Sequence, residues 1–186
     1  MSSKLSQAKK EKNIPKIGWL FVLSSIINIA WLFLWQYNFL SLSVVLIFLL
    51  LITLILIYIR LEIGKTKAKL SEKIATQLPF SVYLGWITIA SIANVSVTLV
   101  SIGWDGFGIG VETWATLIVI VALAITLLVL ATRRDIGYGL VIVWALIGIA
   151  VKQNGNQNIL TLLEASIIIV IISIVATLIV NILKNH

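Results

Sequence analysis

Asn28, Trp31 and Trp35 follow one another at spacings of three and four residues, which on an α-helix puts all three side chains on one side. Tyr83, Trp86, Ala90 and Asn94 repeat the idea at spacings of three, four and four. Each set joins aromatic rings to a carboxamide within stretches otherwise dominated by Leu, Ile, Val and Ala. A carboxamide surrounded by hydrocarbon is costly without a partner, so both should look into protein or a cavity and not at lipid. On the residues alone two readings stand. One is interhelical hydrogen bonding with aromatic packing; the other is a recess beside the small Ala90, into which a flat apolar ligand slides and is oriented by an amide or an indole N–H.

Other chemistry lacks its groups. The chain has no Cys and one His, His186, which removes disulfides, thiolate catalysis and Cys-based metal sites and leaves no Ser/His relay. No paired carboxylates lie within the apolar stretches, so proton relays and hydrolysis are also without their usual residues. Glu112 and Glu164 fall near the start of apolar stretches, and Asp135 follows Arg133 and Arg134. Glu164, preceded by Ile159, Leu160, Leu162 and Leu163, is the carboxylate expected to be partly buried. Leu56-Ile57-Tyr58-Ile59-Arg60 meets a loose pattern proposed for sterol contact, one that many helices ending at a membrane surface satisfy. Asp105-Gly106-Phe107-Gly108-Ile109-Gly110 is Gly-rich but lacks the Gly-Lys-Ser/Thr of a phosphate cradle, and reads as a flexible turn.

The elements that must position these residues are membrane helices. Of 186 residues 60% are hydrophobic, with a mean hydropathy of +1.11, more apolar surface than one soluble core could bury. Windows long enough to cross about 30 Å of hydrocarbon lie near 17–37, 40–59, 80–103, 112–132, 136–151 and 159–183. The expected fold is an all-α integral membrane bundle of six transmembrane helices. Lys and Arg number five in the tail 1–16, five in 60–78, two at Arg133 and Arg134, one at Lys184 and one at Lys152. Six spans with both termini cytoplasmic put 13 of these 14 inside, as the positive-inside rule requires. The pI near 9.8 therefore signals topogenic charge facing membrane lipids, not nucleic acid. Segment 60–78 reads as a solvated linker or a surface amphipathic helix, and the expected location is the cytoplasmic membrane of a prokaryote.

Together the two aromatic faces resemble the translocator protein family, also called tryptophan-rich sensory proteins (TspO/MBR). Asn28-Ile29-Ala30-Trp31 matches that family's Asn-x-x-Trp, and Tyr83, Trp86, Ala90 and Asn94 match its Tyr-x-x-Trp-x-x-x-Ala-x-x-x-Asn, with Val82 where the family has Pro. The resemblance covers 17–103, a three-span segment after the basic tail 1–16, with three further spans in 104–186. It implies a non-enzymatic receptor for a planar hydrophobic ligand such as a porphyrin or another tetrapyrrole, contacted by Asn28, Trp31, Trp35, Tyr83, Trp86, Ala90 and Asn94, without cofactor or metal. No counterpart of the family's Trp-x-Pro-Pro segment precedes Ile17, so the later helices, a homo-oligomer or a partner membrane chain would complete the pocket. The competing expectations are a structural or accessory membrane subunit and a transporter of apolar solutes.

Overall fold

The computed structural model describes residues 2–65, 70–153 and 156–183, with side chains from Gly18 onward except Leu70. Six helices carry the fold: α1 Ser2–Gln36, α2 Leu40–Arg60, α3 Leu78–Ser101, α4 Val111–Arg133, α5 Ile136–Lys152 and α6 Gln157–Leu183. The molecule is an all-α membrane bundle. Five stretches are long and apolar enough to cross a bilayer: Gly18–Gln36, Leu40–Arg60, Lys73–Ser101, Val111–Arg133 and Gln157–Leu183. At 17 residues α5 is the short member; a rise of 1.5 Å per residue gives it about 26 Å, the lower limit for a span.

Two boundaries differ from those the hydropathy windows suggest. Helical backbone begins at Ser2, not at Ile17, because the basic segment carries five Lys, with Leu5, Gln7, Ala8 and Glu11 among them, all good helix formers. The third span also starts early. A short helical turn, Leu70–Glu72, leads into a π-helical turn, Lys73–Gln77, and then directly into α3. Pro79, in the first turn of α3, has no N–H to offer the carbonyl four residues back, and a widened turn absorbs that gap. Residues 61–65 form a turn, and 66–69 lie outside the described residues.

Packing runs α1 on α2, α2 on α3, α3 on α5, α5 on α6 and α6 on α4. The tight link Tyr37-Asn38-Phe39, with Asn38 at φ 60 and Phe39 N–H donating to Leu34 O at 2.8 Å, folds α1 back along α2. One stripe of α2 is sealed: Ser43, Ile47, Leu50, Leu54 and Ile57 are all at most 1% exposed. Leu84, Ile87, Tyr138, Ile142 and Leu163 complete the core beside it. Gly139 lets α5 approach its neighbours, since a Cβ there would sit 3.1 Å from both Leu130 and Ile174. Hydroxyls inside the bundle bond their own helix: Thr53 to Leu49 O, Thr126 to Ala122 O and Ser91 to Ile87 O, each at 2.7 Å. In an apolar solvent, that leaves no hydroxyl hydrogen stranded.

The end of the bundle that bears most of the described positive charge is also the more tightly tied. Tyr58 Oη donates to Asp135 Oδ2 at 2.8 Å, and Asp135 Oδ1 accepts from Tyr138 N–H at 3.2 Å, capping α5. Arg133 lies over the Tyr58 ring at 5.6 Å, and Arg134 donates to Asn181 Oδ1 at 3.4 Å. Gly64, at φ +78, passes so close to the Arg133 carbonyl that no side chain fits. At the opposite end, Trp114 Nε1 donates to Gly106 O at 2.8 Å, and the Trp104 ring packs on Phe107 and Trp114 at 5.3 and 5.0 Å. The Gly-rich turn is thus pinned by aromatics.

Candidate ligand-binding site

Asn94 sits on α3 and is 1% exposed. Its carboxamide meets α2 at Ser43, whose Oγ lies 3.0 Å from the oxygen position, and on its own helix Thr98 Oγ1 lies 3.4 Å from it. Ser43 is a partner that the spacing argument missed. Its signal is faint, a small polar residue near the start of a helix otherwise built from Leu, Ile and Val. The amide nitrogen of Asn94 is sealed and has no acceptor among the described residues, and the same holds for Trp31 Nε1. An unmade hydrogen bond of that kind costs about 1–3 kcal/mol. Trp31 is half-buried against the core, with the Trp35 ring 6.5 Å away on the same helix. Asn28, Tyr83 and Ala90 are half-buried as well.

Trp86 turns elsewhere. Its ring is 44% exposed and faces Trp144 of α5, the centroids 5.7 Å apart and the planes tilted by 44°. Around this pair Leu78, Val82, Gly137, Leu140 and Val141 line an apolar groove of about 370 Å³, open along the surface of the bundle. A Cβ on Gly137 would meet Leu78 Cδ1 at 2.8 Å, so the glycine is what allows α3 and α5 to close the groove's inner end.

Two of the seven sequence-derived residues, Trp86 and Asn94, therefore fall in different places. At 100° per residue, Trp86 and Asn94 stand about 80° apart around α3 and roughly 12 Å apart along it. That arc is wide enough for one flank to face α5 and the other α2. Asn94 belongs with Ser43 and Thr98 toward the α1–α2 turn, and Trp86 belongs with Trp144 nearer the basic end.

One expectation is corrected, and the sterol pattern gains no support. Glu164 is exposed, not partly buried, because Leu163 and Ser166 take the core-facing positions beside it; the buried carboxylate is Asp135, 7% exposed. Tyr58, the aromatic of the loose sterol pattern, is 5% exposed and bonded to Asp135, so it faces protein and not lipid. Among the described residues no group of three His, Cys, Asp or Glu could hold a metal ion.

A family model described as TSPO-like protein matches residues 2–184. The chain belongs to that family. The match includes the two aromatic faces on α1 and α3 and continues through α4, α5 and α6, beyond the 17–103 segment that carried the resemblance. No curated protein and no solved structure matches the chain.

Proposed function

We propose that this TSPO-like protein is a non-enzymatic membrane receptor that binds a planar hydrophobic ligand, a porphyrin or similar tetrapyrrole, drawn from the bilayer. The observation that carries the reading is the α3–α5 groove. Its volume of about 370 Å³ falls within the range of small-molecule sites, its lining is apolar, and two indoles at its outer end offer stacking faces. A macrocycle lying there would exchange lipid contact for Trp86 and Trp144. The chain would work with both termini in the cytoplasm, where anionic lipid meets its Lys and Arg residues.

The test is a titration of the purified protein in nanodiscs with a porphyrin, read by intrinsic Trp fluorescence. Quenching should saturate, and Trp86→Leu should weaken binding about 2- to 10-fold, the equivalent of about 0.5–1.5 kcal/mol of stacking. Val82→Trp, at a 40%-exposed groove position, should block binding by filling the groove. Quenching no greater than that of free tryptophan at equal absorbance, or parental titrations from both variants, would refute the reading. A structural or accessory subunit is the second reading. It is favoured by the contact between Ser43 and the Asn94 carboxamide, which ties α2 to α3.

A further inference from the structure

Glu164 is a carboxylate on the outward face of a membrane span. Its depth follows from two polar ties between α4 and α6. At one end Asn156, the residue before α6, donates to Glu112 of α4, and at the other Arg134 donates to Asn181. The two helices therefore run side by side in the same direction. Glu164 is eight positions past Asn156 and 17 before Asn181, about 12 and 25 Å along the axis. A hydrocarbon core of about 30 Å centred between the ties stops about 4 Å short of each, which puts the Glu164 backbone about 8 Å inside it. Trp114, two positions past Glu112, marks the headgroup level on that side.

No group of the chain answers this carboxyl. Among the described residues it has no hydrogen-bond or ion-pair partner, and α6 meets α4 and α5 through other positions, with Leu163, Ser166, Val170 and Ile174 buried. The outward stripe is Thr161, Glu164, Ile168, Ile171, Val175 and Leu178, all exposed. Its spacings alternate three and four, the period of a seam between parallel helices. Ala165, exposed beside Glu164, lets a second backbone come close at that level. Ile and Val facing lipid need no partner, but a carboxyl among them does.

We propose that the outward face of α6 is a dimer seam for a second copy of this chain, with the two Glu164 carboxyls hydrogen-bonded to each other and Ile168, Ile171, Val175 and Leu178 packed below them. Every copy in the membrane carries Glu164 at the same depth, and a two-fold axis along the membrane normal sets the residue against itself. Charge is expensive at that depth. A carboxyl without its charge has one O–H donor and acceptor oxygens of its own, so two of them satisfy each other. The seam is separate from the α3–α5 groove, to which α6 contributes no residue.

The experiment uses the full chain in liposomes, labelled through Phe107→Cys, the protein having no native Cys. Energy transfer between donor- and acceptor-labelled copies is followed over a series of protein-to-lipid ratios. Glu164→Leu, at a position outside the core, should need a ratio about tenfold higher for half-maximal dimer. Glu164→Gln, whose carboxamide also donates and accepts, should dimerise like the parent. In unlabelled chains Ile168→Cys should form an intermolecular disulfide on oxidation, and Ile29→Cys on α1, equally exposed, should not. Copies that stay monomeric at every ratio overturn the proposal, as does a Glu164→Leu dimer as stable as the parent's or a Glu164→Gln dimer as weak as that of Glu164→Leu. Disulfides at Ile29→Cys with none at Ile168→Cys overturn it by placing the interface elsewhere. Monomers that retain dodecylamine in native mass spectrometry only while Glu164 is present overturn it too, by giving the carboxyl to a lipid-soluble cation.

Discussion

At the residue scale, the bundle uses hydrogen bonds as rivets in a medium that offers no replacements. Tyr58 and Asp135 are the clearest pair, both under a tenth exposed and joined across 77 positions of sequence. Tyr58→Phe removes the donor and leaves a buried carboxylate short of one partner. It should lower stability by about 1–3 kcal/mol, seen as a lower Tm by circular dichroism in detergent. Asp135→Asn retains an acceptor for Tyr138 N–H and should cost less than Asp135→Ala. Neither partner stands out in the sequence. Asp135 reads as one more charge beside Arg133 and Arg134, and Tyr58 reads as part of a loose pattern that many membrane helices satisfy. Only the fold brings the end of α2 to the α4–α5 turn. The amide of Asn94, by contrast, was legible as inward-facing, because hydrocarbon penalises any other direction.

At the element scale, hydropathy located the core of each of the six helices and missed the start of α1 and the lead-in to α3, for a physical reason: helix propensity and hydropathy are different quantities. The basic tail is helical chiefly through its five Lys, and the lead-in to α3 is helical despite Lys73, Thr76 and Gln77. What joins the elements depends on backbone clearance that composition does not report. Gly64 and Gly103 share a left-handed backbone, at φ +78 and +69, yet a Cβ meets Arg133 O at 1.7 Å in the first case and nothing within 4 Å in the second. Gly103→Ala should therefore cost only the left-handed strain, about 1–2 kcal/mol. Gly64→Ala should cost clearly more, because the α2 end and the α4–α5 turn must separate. Thermal melts of the two variants side by side measure the difference. The candidate site was half legible for a similar reason. Helical spacing put Tyr83, Trp86, Ala90 and Asn94 on one broad side of α3, but it could not show that Trp86 turns to α5 while Asn94 turns to α2.

At the scale of the whole molecule, alternating charge and six helices argue for cytoplasmic termini. The absence of native Cys makes the test clean. Ser2→Cys should be labelled by an impermeant maleimide only from the cytoplasmic side. Phe107→Cys and Gln153→Cys, both exposed at the opposite end of the bundle, should be labelled only from outside. With both termini cytoplasmic, the groove of Trp86 and Trp144 would lie nearer the cytoplasmic leaflet, and we propose that a flat lipophile dissolved in lipid enters it sideways. Native mass spectrometry of the protein released from nanodiscs after incubation with a porphyrin tests that claim most directly. The account predicts one porphyrin retained per chain by the parent protein and by Asn94→Leu, and none by Val82→Trp. Chains that retain no porphyrin, or that retain it equally with the groove filled, would contradict it.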